Sequence, residues 1–234
     1  MGDFVAKKGL ESDMKRMFLY AMGVVLVTAS MATVAAVDDV MVKVSELQHD
    51  WAVANYQLAD KDKEAAFEAL VEKAEALTQT NLQRAEPKVW EAIVRAGLAG
   101  AIGGVSSMFN AMPQMEKGRD LLLEAEKIDP TVLNGSVYTT LGSFYYMVPG
   151  GFIGFGDTDK ALVYLKKALE IAPEDMDANY FMGDYWLEEK KYDLAKPYFD
   201  KVVAMPDVTG RPIYSKGRKA EAEARLDKVN KKIQ

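Results

Sequence analysis

Apolar residues recur along most of the chain at alternating steps of three and four residues, the spacing that places side chains on one face of an α-helix. The clearest stripe consists of Val40, Val44, Leu47, Trp51, Ala54 and Leu58. Two further stripes are formed by Phe67, Leu70, Ala74 and Leu77 and by Ala222, Leu226, Val229 and Ile233. Because no strand-like alternation of useful length appears, the pattern predicts an all-α protein.

Two neighbouring segments, 135–175 and 176–208, repeat one order of residues. The first contains Tyr138, Leu141, Gly142 and Tyr145, followed by Ala161, Leu165, Ala168 and Pro173. The second contains Met182, Gly183 and Trp186, followed by Ala195, Phe199 and Val202. This order resembles the tetratricopeptide repeat (TPR), a helical hairpin of about 34 residues with a glycine on its first helix and an alanine on its second.

The spacing indicates how such a hairpin packs. Gly142 lies where the two helices approach closely, Ala161 is the small residue facing it, and Leu165 fills the seam to the next hairpin. Twelve residues separate Ala161 from Pro173, as the repeat requires, whereas nineteen separate Gly142 from Ala161, so about seven are inserted. We therefore predict a TPR-like superhelical solenoid of helix-turn-helix hairpins.

The predicted solenoid has three parts. Residues 37–84 form a degenerate N-terminal helical hairpin, in which Phe67 takes the usual small position. Residues 85–212 hold the TPR-like repeats with their Gly-rich insertions, beginning with a helix that carries Trp90. Residues 213–234 form a C-terminal capping helix, because the last repeat otherwise exposes its apolar seam.

The N-terminal segment has the pattern of a signal peptide. A basic start at Met14 and Lys15 precedes the uncharged run Met17–Val37, which ends in small residues. Residues 1–36 are therefore predicted to be a signal peptide cleaved after Ala36, which places the mature protein in the periplasm. The alternative is an uncleaved membrane anchor, since a run of this length can also span a bilayer.

The insertion at residues 145–157 interrupts a helical hairpin with a Gly-rich, aromatic segment. One interpretation is an ordered loop whose Phe152, Ile153 and Phe155 pack on the solenoid, while Asp157 caps the next helix. The other is that the aromatic side chains lie across the groove and shape a pocket. No Lys-Ser/Thr pair follows the glycines, so a phosphate-binding loop is not predicted.

The earlier insertion, residues 96–109, is small and apolar. Its Gly100 and Gly104 would let two helices touch closely. Arg95 and Pro113 bound it to a length well below the twenty or so residues that a membrane span needs.

The amino-acid composition argues against several classes of function. The chain has 29 Lys and Arg against 35 Asp and Glu, a formal net charge of −6, one His and no Cys. Acidic balance argues against nucleic-acid binding, and the absence of Cys excludes thiolate metal sites, disulfides and a lipid-anchored N-terminus. His49 has no nearby nucleophile or second metal ligand. We predict that the protein is not an enzyme and holds no metal or cofactor.

The combined features resemble exported bacterial tetratricopeptide proteins and are similar to the periplasmic T-component that accompanies TRAP transporters. The residues that carry this resemblance are the stretches 133–136, 141–142, 149–151 and 154–157. The resemblance implies protein binding beside a periplasmic solute-binding protein, with a channel for a small hydrophobic ligand.

The concave face of a tetratricopeptide array is where we expect a protein or peptide partner. The first-helix positions that face this groove are Lys88, Glu91, Arg95, Ser143, Tyr146, Tyr180, Asp184 and Glu188. The last three are spaced by four and share one helix face. An exposed groove would use them against the amides and cations of a peptide.

A rival hypothesis makes the protein an accessory carrier of a small hydrophobic ligand for a TRAP-type transporter. In that case the Gly-rich insertion and the loop from Phe152 to Phe155 would form the walls of a pocket.

Overall fold

The structure, a computed structural model, describes residues 38–102 and 107–233. The predicted signal peptide and Gly104 lie outside these residues. The described helices are α1 Asp39–Tyr56, α2 Asp60–Thr80, α3 Ala85–Ala101, α4 Ser107–Ile128, α5 Val132–Met147, α6 Thr158–Ile171, α7 Met176–Glu188, α8 Tyr192–Ala204 and α9 Pro212–Ile233. Within the same ranges no β-strand forms, apart from one isolated bridge between Gly150 and Gly156. The all-α prediction is confirmed.

The helices form a TPR-like solenoid of consecutive hairpins whose two ends meet. Among these described helices, each even-numbered helix packs against the helix before it and the helix after it in the chain. Helices α2 and α4 are also joined by the ion pair of Glu75 with Lys117. The odd-numbered helices contact one another in sequence, and α9 also contacts α1. The inner layer is therefore a closed ring of α1, α3, α5, α7 and α9, with α2, α4, α6 and α8 outside it.

Glycines set the close approach of the paired helices, as the repeat pattern predicts. A Cβ atom at Gly142 of α5 would lie 2.6 Å from Leu165 Cγ of α6. A Cβ atom at Gly183 of α7 would lie 3.0 Å from a ring carbon of Phe199 of α8. The first distance is too short for a real Cβ atom and the second is tighter than most real contacts, so each glycine lets a large residue of the partner helix fill the seam.

The first hairpin reverses this arrangement of large and small residues. Phe67 of α2 is fully buried, and its ring lies against Gly97 of α3, where any Cβ atom would overlap it. A large residue at the usual small position is thus accommodated by a glycine on the following helix. This exchange explains why the hairpin is hard to identify from the repeat motif.

The earlier insertion lengthens two helices. Helix α3 continues to Ala101 and α4 begins at Ser107, so the extra residues add turns to both helices at the end of the hairpin where the chain connects them. Pro113, which was expected to bound the segment, lies inside α4. No helix within residues 38–102 and 107–233 is both long enough and apolar enough to cross a membrane.

Two apolar cores hold the ring together. One lies among α3 to α7 and contains Leu122, Leu141 and Phe144. The other joins the first three helices to the last three and contains Trp51 and Tyr214. Because the second core includes residues from both ends of the chain, the ring closes through the packing of side chains far apart in sequence.

Candidate functional site

The three groove residues predicted on α3 are not exposed in a groove. Lys88, Glu91 and Arg95 are all buried. Lys88 Nζ lies 2.7 Å from the carboxylate of Glu124 on α4. Arg95 lies 2.7 Å from Glu91 and 3.0 Å from Glu75 on α2. These charges pair with the outer helices and cross-link α2, α3 and α4.

The predicted groove residues on α5 and α7 face the inside of the ring, but they are covered. Ser143, Tyr180 and Asp184 are buried, and Asp184 retains only 1% of its accessible surface. The Tyr146 hydroxyl donates a hydrogen bond of 2.8 Å to Asp184 Oδ2. Of this predicted set, only Glu188 is exposed. The expectation of an exposed polar face is therefore wrong for this part of α7.

Helix α9 covers this face with arginines. Arg218 Nε lies 2.8 Å from Asp177 Oδ1, and Arg225 Nε lies 3.0 Å from Asp184 Oδ1. The Arg218 guanidinium also stands 4.3 Å from the ring centre of Tyr180, close enough for a cation–π contact. The second ion pair lies seven residues after the first on both helices, so α7 and α9 run parallel in matched register.

A tyrosine of α1 packs on α9 and hydrogen-bonds to it where the ring closes. The Tyr56 ring lies flat on Gly217, where a Cβ atom would overlap the ring. The Tyr56 hydroxyl donates to Glu221 Oε2 at 3.2 Å. Glu221 also accepts from Arg218 at 2.6 Å. The arginine contacts on α7 and the tyrosine contact on α1 are thus parts of one network.

Burial and charge shift several pKa values in this network. Burial, together with the Asp184 carboxylate, raises the pKa of Tyr146 well above its usual value. Burial alone would lower the pKa of Arg218, but Asp177, Tyr56 and Glu221 raise it well above the usual range. Arg218 therefore remains a cation inside the protein at every pH at which the fold persists.

Sequence reasoning missed the arginines, although the sequence carries a signal for them. Arg218 and Arg225 are spaced by seven, which places them on one face of a helix. Asp177 and Asp184 have the same spacing, and each lies 41 residues before its arginine. Two matched pairs at a constant offset are the pattern expected of parallel helices joined by ion pairs.

A second candidate site is the loop 148–157 between α5 and α6. Its base is fixed by backbone hydrogen bonds from Gly156 N to Pro149 O at 3.0 Å and from Asp157 N to Tyr145 O at 2.8 Å. Asp157 accepts from Lys160 N at 3.0 Å and caps α6, as predicted. The loop is therefore ordered by its own hydrogen bonds and by the helix it starts.

The aromatic residues of this loop differ in their surroundings. Phe155 packs edge-on against Tyr145 at 5.7 Å between ring centres, and the Arg119 guanidinium lies 4.6 Å from its ring centre. In contrast, Phe152 is fully exposed and Ile153 is 61% exposed. The prediction that all three pack on the solenoid is confirmed for Phe155 and wrong for Phe152 and Ile153.

Two surface depressions lie near α1. The larger, about 640 Å³, lies at the contact of α1 with α9, and its lining includes Ile213, Ala220 and Ala224. The smaller, about 520 Å³, lies between α1 and α2 and includes His49 and Lys73. Among the described residues, no group of three or more His, Asp or Glu side chains is placed to hold a metal ion.

No protein-family model and no curated protein matches this chain. Among solved structures, the chain is similar to a thermophilic TPR protein of Thermus thermophilus. The two chains are 14% identical, the match covers 80% of this chain and 98% of the other, and the TM-score is 0.41. The helix contacts of this chain are what define its fold.

Proposed function

We propose that this chain is a periplasmic protein–protein interaction module, not an enzyme, and that loop 148–157 carries its contact surface. The observation that carries this proposal is the exposure of Phe152 and Ile153 on a loop whose base is hydrogen-bonded. Large apolar side chains presented on an ordered support lose little conformational freedom on binding, which favours their use as anchors at an interface.

The surface around the loop tip supports the same function. Phe109, near the start of α4, is 80% exposed. Met112, one turn further along α4, lies beside the loop, since a Cβ atom at Gly154 would be 2.8 Å from its terminal methyl carbon. Loop and helix therefore share one side of the molecule, where an adaptable methionine lies near exposed aromatic residues.

The partner that we propose is a periplasmic solute-binding protein that works with a TRAP-type transporter. This choice is supported by the resemblance of the stretches 133–136, 149–151 and 154–157 to the T-component and by the signal-like segment 1–36. Mass spectrometry of the protein from its native host should find a mature N-terminus near Val37. An intact Met17–Val37 segment would indicate a membrane anchor instead.

The decisive experiment compares partner capture by three purified proteins. The wild type should retain a partner from periplasmic extract, which mass spectrometry identifies and titration against the purified partner confirms. A Phe152→Ser/Ile153→Ser variant should lose this binding because the anchors are removed. Val163→Ser changes another exposed apolar residue, on α6, and should bind as the wild type does. If all three proteins bind the partner equally, loop 148–157 is not the contact surface.

A second candidate function, carriage of a small hydrophobic ligand, is favoured by the depression at the contact of α1 with α9. Its volume of about 640 Å³ and its lining by Pro212, Ile213 and Ala224 suit an apolar ligand. Native mass spectrometry of the purified protein should then detect a retained small molecule. Ala220→Trp, which fills the depression, should release it, whereas the Phe152→Ser/Ile153→Ser variant should keep it.

A further inference from the structure

Among the described helices, four of the five contacts between neighbouring inner helices are covered by an outer helix that packs on both of them. Helix α2 packs on α1 and α3, α4 on α3 and α5, α6 on α5 and α7, and α8 on α7 and α9. Within residues 38–102 and 107–233, no helix packs in this way on both α9 and α1. The outer layer of the described solenoid is therefore incomplete at the contact that closes the ring.

The depression of about 640 Å³ lies at this uncovered contact. One face of α9 lines it, with residues that follow one another at steps of four and three. These residues are Ile213, Gly217, Ala220 and Ala224, and Tyr56 of α1 lines it as well. Small residues at this spacing let a second helix approach closely and insert its larger apolar side chains.

This face is distinct from the one that α9 turns towards α7. Successive residues of an α-helix are about 100° apart, so Ala220 lies nearly opposite Arg218, which pairs with Asp177 of α7. Glu221, which also borders the depression, is held by the same arginine. Ala220 and Ala224 are both exposed. The depression is therefore open, whereas the inner face of α7 is filled.

The same face of α9 continues beyond the depression with positive charge. Lys228 and Lys231 take the next two positions of the stripe, and Lys216 borders the depression itself. All three are exposed, and none forms an ion pair with a carboxylate of the described residues. Glu223 and Asp227 lie along one edge of this face. Three cations on an open face of a chain with a formal net charge of −6 thus lack a carboxylate partner.

We propose that the depression and the lysines beyond it form a receptor for an amphipathic helix of a partner protein. The bound helix takes the position of a further outer helix and runs antiparallel to α9, as α8 does. Its apolar stripe lies over Ala220 and Ala224, and acidic residues in its first turn meet Lys228 and Lys231. Acidic side chains in that turn also complement the dipole of the bound helix. The surface is separate from loop 148–157, so the proposal stands or falls independently of the function assigned to that loop.

The length of this face suits a helix better than a small ligand. From Gly217 to Lys231 it extends over about 21 Å, the length of a helix of about 14 residues. Helices α6 and α8, which cover the two preceding contacts, have 14 and 13 residues. A small molecule in the depression would leave Lys228 and Lys231 without a partner, whereas a helix reaches the apolar and the charged parts together.

The first arm of the test uses the purified full-length protein and a fluorescent, alanine-based peptide of about 14 residues. The peptide carries glutamates in its first turn and leucines spaced by three and four in the rest. Fluorescence anisotropy should show saturable binding. Ala220→Trp fills the depression and should weaken binding by about tenfold or more. Val163→Trp, at an exposed position of α6, and the Phe152→Ser/Ile153→Ser variant should bind as the wild type does.

The second arm tests the charges with a second peptide in which lysines replace the glutamates. The wild type should prefer the glutamate peptide, and Lys228→Glu/Lys231→Glu should reverse this preference, because the charges of the receptor are then of opposite sign. Lys127→Glu/Lys166→Glu makes the same change of net charge at exposed positions of α4 and α6 and should keep the wild-type preference. Circular dichroism checks that each variant is folded.

The third arm locates the bound peptide and does not depend on weakening the site. The chain has no Cys, so Ala224→Cys gives a protein with a single thiol. In a glutathione redox buffer this thiol should form a disulfide with a cysteine on the leucine face of the peptide, because binding raises the local concentration of the peptide thiol. Val163→Cys, at an exposed position of α6, should react more slowly. Mass spectrometry measures the crosslinked fraction with time.

Four results would overturn the proposal. One is equal peptide affinity of the wild type and Ala220→Trp, and another is a preference between the two peptides that charge reversal leaves unchanged. The third is a retained small molecule that Ala220→Trp releases, because the depression would then serve a small ligand. The fourth is a wild-type dimer that Ala220→Trp dissociates, detected by light scattering, because a second copy of this chain would then cover the face.

Discussion

The closure of the ring contains buried charged side chains that the glycine seams inside the helical hairpins lack. Between α5 and α6, Gly142 admits Leu165, and the contact is entirely apolar. Between α7 and α9, Arg218 and Arg225 meet carboxylates. The glycine seams thus depend on shape alone, whereas the closure adds ion pairs to an apolar core that contains Tyr214 and Val229.

Apolar packing responds to the volume of a side chain and hardly at all to salt or pH. Ion pairs that are partly buried respond to both, and each partner depends on the other to offset its loss of hydration. The hairpins should therefore behave as the permanent frame and the closure as the part that solution conditions can loosen.

The largest loss of stability is expected when a buried side chain is removed from an apolar seam. Leu165→Ala removes a fully buried side chain and should lower the free energy of unfolding by about 2–5 kcal/mol. Val163→Ala, two residues away and exposed, should change it by less than about 0.5 kcal/mol. Urea denaturation measures both. A small effect at Leu165 would mean that the hairpin does not pack through this glycine seam.

A smaller effect is expected at the closure. Arg225→Ala leaves Asp184 buried with only Tyr146 as a partner, which should cost about 1–2 kcal/mol. The loss should shrink in high salt, because Arg225 is partly exposed and its ion pair is screened. Lys196→Ala, which breaks the exposed pair with Asp200, should have almost no effect. A salt-independent loss would argue that Arg225 acts by packing alone.

The closure should also respond to pH through Asp175, the N-cap of α7. Burial and the nearby Asp177 charge raise the pKa of Asp175 to about 6, from 3.8. The folded protein then binds this proton more tightly than the unfolded chain does, so Asp175 stabilises the fold at low pH and this contribution is lost as pH rises through 6.

Asp175→Asn should remove that dependence while keeping the cap to Ala178 N. Relative to the wild type, the variant should gain about 2 kcal/mol of stability between pH 4.5 and pH 7. Asp157 provides the matched control, because it caps α6 and the hydrogen bond from Lys160 N lowers its pKa. Asp157→Asn should show no change over that range. A constant difference for Asp175→Asn would contradict the raised pKa.

The smallest effect on stability is expected at the tip of loop 148–157. Phe152 contributes almost no buried surface, so Phe152→Ser should alter the unfolding free energy by less than about 0.5 kcal/mol. Phe155→Ser should cost more, because it loses contacts with Tyr145 and Arg119. Equal losses in thermal denaturation would show that Phe152 also packs on the protein.

The sequence predicted the hairpins well because the residues that pack in each hairpin lie close together in the chain. The glycine, alanine and large residues that define the seam occur at fixed spacings within a few tens of residues, as Gly142 and Leu165 show. The helix cap at Asp157 is equally local. Phe67 was harder to interpret, because its compensating partner, Gly97, lies on the next hairpin.

Only the tertiary structure decided whether the inner face is open. The sequence by itself determined an all-α solenoid and placed Tyr180 and Asp184 on one helix face, because helical periodicity fixes which residues share a face. That α9 returns to α1 depends on the curvature summed over four hairpins, which no single repeat encodes. The same curvature brings Arg225 to Asp184 and buries the predicted binding face beneath α9.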